Sequence, residues 1–240
     1  GGAALAVGGI FLVNYSIEAG LIGPTTRIVF GALFALALIA AGEWMRRGER
    51  ALPLDIVPAA HIPGILTAAG TVVLFGTIYA AHALYGLIGP GTAFVLLGLA
   101  GLATMVASAL HGPALAGLGL VGAMVTPLLV TSSDPNPWPV VIFLAVVAAA
   151  AFALARLRRW LWLAMTSVAG VVLWGILLAY PGEHMVPAAA FAHAFIQLAL
   201  AAVFFAVEPH ALTPDSRSEP DPIAVAALGA LSLLAVWVLA

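Results

Sequence analysis

The side chains in this chain that could do chemistry are few, and they recur at one depth. Asn14 and Glu18 stand one helical turn apart at the end of the first apolar run. A carboxylate there can bind a cation or pass a proton. It can also pair with Arg27 across the short turn that follows and clamp that turn, which is the simpler reading because interfacial ion pairs cost little. His82 stands in the third apolar run, three residues from Tyr79 and three from Tyr85, and His193 stands in the eighth, with Gln197 one turn further on the same face. Each histidine can present hydrogen-bonding groups to a polar substrate or a proton path, or can bond a neighbouring helix and hold the bundle together. Singly, the structural role is the simpler one. Together, Asn14, Glu18, His82 and His193 fall in the outer half of their runs, with Gln197 at the midpoint of its own. If runs one, three and eight are neighbours, these residues form one candidate polar cavity.

Other chemistries find less support. No two histidines lie three or four residues apart, and no His–Glu pair shares a helix face within an apolar run, so a metal site is not expected. Glu183-His184 reads as a solvated turn. The chain has no cysteine, hence no disulfide and no thiolate. It carries no nucleophile-elbow, phosphate-loop or zinc-protease motif, and nothing calls for a cofactor. A net charge of −2 without a basic patch gives no reason to expect nucleic acid.

These side chains must be positioned by membrane helices. Of the 240 residues, 64% are hydrophobic and 8% charged, with a mean hydropathy of +1.16; a soluble domain carries about a quarter charged residues. A spanning helix needs about 20 apolar residues. Nine runs meet or approach that length: 1–18, 25–45, 61–87, 90–110, 112–130, 137–155, 160–180, 187–207 and 222–240. The expected fold is therefore an all-α, polytopic transmembrane bundle of about nine spans, in one domain covering 1–240. Prolines 24, 90, 113, 137, 187 and 222 stand at or beside helix starts, where the missing N–H has no intrahelical partner to lose. Thr126-Pro127 is expected to bend the fifth span. Small residues four apart (Gly31/Ala35, Gly119/Ala123, Ala145/Ala149/Ala153) would let helices approach closely.

All eight basic residues are arginines, and with nine alternating spans seven fall on one side, with only Arg27 on the other. That side is cytoplasmic by the positive-inside rule, so the chain is expected to begin inside and end outside. Glu43, Trp44, Arg46 and Arg47 read as an interfacial anchor. The first run has no basic residue before it and the last stops in apolar residues with no charge after it, so the chain is expected to be cut from a longer one at both ends.

One block occurs twice. Gly20-Leu-Ile-Gly-Pro24 returns 66 residues later as Gly86-Leu-Ile-Gly-Pro90, and from 20–38 against 86–104 ten of nineteen positions are identical. It reads as the short outer turn of a helical hairpin used repeatedly, with units near 1–45, 61–110, 112–155 and 160–207, and a last span at 222–240. Because the offset spans two helices, the units point the same way. The stretch Tyr15–Pro24 with Arg27 and Gly42–Arg47, together with Tyr79–Gly86, His111-Gly-Pro113, Gly122–Leu129 and Pro135-Asn136, resembles the bacterial DUF2339 family of predicted membrane proteins. The resemblance implies a longer full-length chain in the cytoplasmic membrane and brings no catalytic residues with it.

Three functions fit. The first is a transporter or flippase-like envelope protein, suggested by many spans, parallel hairpins and a buried polar set. The second is a membrane-embedded enzyme acting on a lipid-linked substrate at the outer face, with Glu18, His82 or His193 as acid or base. The third is a membrane scaffold in which the polar residues only join helices. The expected partners are the lipid bilayer and other spans of the same full-length chain, and the substrate, solute or lipid, stays open.

Overall fold

The computed structural model describes residues 23–49, 62–130, 132, 136–180 and 186–206. Seven helices follow in order: α1 Pro24–Glu49, α2 Ile62–Tyr79, α3 Pro90–His111, α4 Pro113–Leu129, α5 Pro137–Arg158, α6 Leu161–Ala179 and α7 Pro187–Ala201. α2 ends in a π-helical turn, Ala80–Leu84, and α7 in another, Ala202–Ala206. No strand occurs among the described residues. Six of the helices are long and apolar enough to cross a membrane, while α4, at 17 residues, is shorter. The apolar runs at 1–18 and 222–240 lie outside the described residues.

Prolines 24, 90, 113, 137 and 187 are each the first residue of a helix. Two of these starts sit at equivalent positions of the repeated block and close alike. The Gly23 carbonyl accepts the Arg27 N–H at 3.1 Å, and the Gly89 carbonyl accepts that of Ala93 at 3.0 Å.

The chain forms two compact units, Gly1–Ala93 and Phe94–Ala240. In the first, α1 and α2 pack as an antiparallel pair whose seam is made of small residues. Gly31 faces Thr77, Gly70 faces the Ala35 carbonyl and Ile39, and Gly42 faces Thr67 and the Pro63 carbonyl. As the number rises along one helix it falls along the other, which is what antiparallel packing requires. A Cβ on Gly70 would stand 2.7 Å from the Ala35 oxygen, so the backbones touch directly. Gly31/Ala35 is thus a true packing pair. Away from the seam α1 exposes Phe30, Leu33 and Phe34, an apolar surface suited to lipid. At its end Glu43 accepts hydrogen bonds from Arg46 Nε at 2.8 Å and Arg47 Nε at 2.7 Å, and Trp44 is exposed, as an interfacial anchor would be.

In the second unit α3 and α4 meet the same way, Gly101 against Ala123 and Gly119 against Met105 and the Gly101 carbonyl. Gly119/Ala123 is therefore also at a contact. Ala145/Ala149/Ala153 is not: Ala153 is exposed, and α5 buries Val141, Leu144, Val147, Ala148, Ala151, Phe152 and Ala155 instead. This face packs on α6 and α7.

Helix directions follow from the contacts. α5 turns into α6 through two residues, with Arg159 in the left-handed conformation (φ 56°). The Trp160 N–H reaches the Ala155 carbonyl at 2.9 Å and the Arg159 N–H reaches that of Arg156 at 3.3 Å, the two bonds of a Schellman motif. The C-terminal end of α5 meets the C-terminal end of α7, through Phe152 against Phe204 and through Arg156 Nη1 donating to the Phe204 carbonyl at 2.6 Å. α7 therefore runs with α5 and against α6. α4 runs with α6, since Gly117 faces Trp162 while Met124 faces Gly170 and receives the Trp174 Nε1–H on its carbonyl at 3.0 Å. That carbonyl lies one turn before Pro127, through which α4 continues to Leu129.

Candidate functional site

Inside an apolar bundle a hydroxyl must find an acceptor, and the nearest is the carbonyl one turn back on its own helix. Eight polar residues are buried among the described ones: Thr67, Thr71, Thr104, Ser108, Thr126, Ser167, His193 and Gln197. Five of them follow that rule. Thr67 donates to the Pro63 carbonyl, Thr71 to Thr67, Thr104 to Ala100, Ser108 to Met105 and Thr126 to Gly122, at 2.5–2.9 Å. The three that do not are the candidate site.

His193 and Gln197 lie on α7, fully buried and one turn apart, as their spacing requires. His193 Nε2 lies 2.8 Å from the Val171 carbonyl of α6. A carbonyl only accepts, so Nε2 carries the proton and, in the neutral ring, Nδ1 is a lone pair. That Nδ1, both amide atoms of Gln197 and the Ser167 hydroxyl are buried without a hydrogen-bond partner. Ser167 stands one turn before Val171 on α6, and Gln197 one turn beyond His193 on the antiparallel α7. Both steps lead towards the same end of the helix pair, so Ser167 and Gln197 sit level with each other.

His82 belongs to the first unit and has a different task. α2 ends in the π turn, where the Tyr85 N–H reaches the Ala80 carbonyl at 3.0 Å and that of Leu87 reaches Ala81 at 2.8 Å, with Gly86 at φ 60°. This is a Schellman-like closure one residue wider than usual. Here His82 Nδ1 bonds the Ile88 carbonyl at 3.1 Å, fastening the turn into the Gly86–Pro90 block. Arg27 Nη1 donates to the Tyr85 hydroxyl at 3.3 Å, joining the start of α1 to the same turn. The expected partner of Arg27, Glu18, and its neighbour Asn14 lie outside the described residues. Of the five residues expected to share a cavity, His193 and Gln197 stand one turn apart on α7, and Ser167 stands at the same level on α6. Spacing did not signal Ser167; only the α6–α7 pairing reveals it. No cluster of three potential metal ligands occurs among the described residues.

The family model of predicted membrane proteins, DUF2339, matches residues 1–240. The chain belongs to the DUF2339 family. It is a multi-pass membrane protein whose apolar helices belong in a lipid bilayer. No curated protein and no solved structure matches it. The buried polar atoms on α6 and α7 thus lie in helices long and apolar enough to cross a membrane, a setting in which a polar atom without a partner is costliest.

Proposed function

We propose that this DUF2339 chain is part of a transporter-like protein of the bacterial cytoplasmic membrane that handles a small polar solute. In this reading nine alternating spans place Arg46, Arg47, Arg50, Arg156, Arg158, Arg159 and Arg217 on the cytoplasmic side, with the chain starting inside and ending outside. The observation that carries it is the fully buried His193–Gln197 pair, which keeps hydrogen-bonding capacity unspent in an apolar bundle. Polar groups at membrane depth are rare, and facing a substrate path is one of their principal uses. Asn14 and Glu18 are the further residues proposed to face that path from the first span.

The absence of cysteine from this stretch makes the test direct. Single cysteines at Ser167, His193 and Gln197, in an otherwise cysteine-free full-length protein, would be exposed to a membrane-impermeant maleimide in intact cells and in inverted vesicles. Asn136→Cys, at an exposed loop position, is the control. Modification of at least one buried position from one side is the expected result. Labelling of the control alone, whichever side the maleimide is applied to, would sink the transport reading and leave a scaffold. Two observations favour that second reading: His82 and His193 each bond a backbone carbonyl and brace a turn or a helix pair.

A further inference from the structure

We infer that Ser167, His193 and Gln197 form a binding site for a neutral, hydroxyl-bearing guest, either water or the hydroxyl of a small solute, seated between α6 and α7. The inference rests on the proposed polar path only for its biological use; the site itself is argued from hydrogen-bond chemistry.

By their spacing on α6 and α7, the three residues that carry the four unpartnered atoms lie within about 6 Å of one another along the helix axes. Buried polar groups in native proteins are matched, by protein or by ordered water, in roughly nine cases of ten. Here the other five buried hydroxyls are matched by their own helices, so the three exceptions mark a place rather than a general looseness. The atoms also fit one chemistry. His193 Nδ1 accepts because Nε2 is held by the Val171 carbonyl, Gln197 offers a donor and an acceptor, and the Ser167 hydroxyl can do either. A hydroxyl group, donor and acceptor at once, answers this set.

A charged guest does not. The described part of the second unit contains no Asp or Glu to balance a cation. Its arginines cluster where α5 meets α6, and Arg156 reaches the Phe204 carbonyl, seven residues or about 10 Å along α7 from Gln197. An ion in this place would be desolvated and unpaired, which is prohibitive.

The test turns on a sign. In the full-length protein, Ser167→Ala and Gln197→Met remove polar atoms while keeping the approximate shape. If the atoms hold a guest, each substitution leaves the guest and the remaining atoms short of a partner, and Tm falls by about 2–4 °C, with the double variant losing less than the sum. If the atoms hold nothing, each substitution removes an unmatched polar group and Tm rises, which overturns the site. Water-edited solid-state NMR of histidine-labelled protein in bilayers identifies the guest. Magnetisation passing from water to His193 Nδ1 marks water. Its absence, with Tm raised by glycerol in the parent but not in Gln197→Met, marks a solute hydroxyl. Absence of both responses refutes the site. Maleimide labelling can fail at a sealed site that these measurements still detect, so the failures of the two proposals are distinguishable.

Discussion

Replacing Gly70 and Gly76 by alanine, one at a time, tests whether the seam of α1 and α2 is set by backbone contact. Both glycines are in α2, so the intrinsic gain of alanine over glycine in a helix, about 1 kcal/mol, is common to both and cancels in the comparison. Their surroundings differ. A Cβ at position 70 would lie 2.7 Å from the Ala35 carbonyl oxygen, 2.7 Å from Ile39 Cγ1 and 3.0 Å from the Ile39 nitrogen, whereas one at position 76 would meet nothing within 4 Å. Ordinary carbon–oxygen contact begins near 3.3 Å, so the methyl at position 70 must push the helices apart by roughly half an ångström. Two of its three neighbours are backbone atoms and cannot swing away. Overpacking of this kind costs about 1–3 kcal/mol, and that is the expected gap between the variants, with Gly76→Ala at or above the parent and Gly70→Ala below it. Thermal unfolding of the purified full-length protein in detergent should separate them by on the order of 5 °C. Equal midpoints would show that α1 and α2 are not in backbone contact, and the seam described above would be wrong.

Gly86 and Arg159, both near φ +60°, should respond in opposite directions. Gly86→Ala places a side chain at φ 60° and should lower stability by about 1–2 kcal/mol, measured as a drop in the unfolding midpoint. Arg159→Gly relieves the same conformation (φ 56°) and should raise the midpoint or leave it level, since Gly is the usual residue at this point of a Schellman motif. A clear fall would mean that the Arg159 side chain makes a contact worth more than the relief.

Where helices begin was legible because two independent signals coincide: an apolar run of membrane length and a proline whose missing N–H is harmless only in the first turn. Pro24, Pro90, Pro113, Pro137 and Pro187 each open a helix as their position demands. Helix ends were less legible. The run at 61–87 contains both an α-helix and a π turn, and hydropathy does not distinguish an N–H reaching four residues back from one reaching five. Which face turns inward was legible at Gly31/Ala35 and Gly119/Ala123, where glycine removes a steric block. It was not legible in α5, where alanines occur on every face and spacing carries no information. The candidate site was half visible. His193 and Gln197 announce themselves as polar residues in an apolar run, but Ser167 looks like any back-bonded hydroxyl until α6 and α7 are placed side by side.

The π turn at Ala80–Leu84 bears on how such a chain can change over generations. Gaining or losing one residue in an α-helix rotates everything beyond it by about 100° and would turn a packed face outward. In α2 the close backbone contacts with α1, at Pro63, Thr67, Gly70 and Thr77, all precede the turn, while the turn itself also touches α1 and Tyr85 just beyond it accepts from Arg27. A π turn is what an extra residue becomes when the flanking helix keeps its phase. The surplus is absorbed within Ala80–Leu84, downstream of the glycines that set the seam, and His82 fastens the altered end to the Ile88 carbonyl. The phase of the glycine seam is thereby set before the turn, so an insertion or deletion within Ala80–Leu84 leaves Gly70 and Thr77 indexed as before and resites only the contacts that the turn and Tyr85 make with α1.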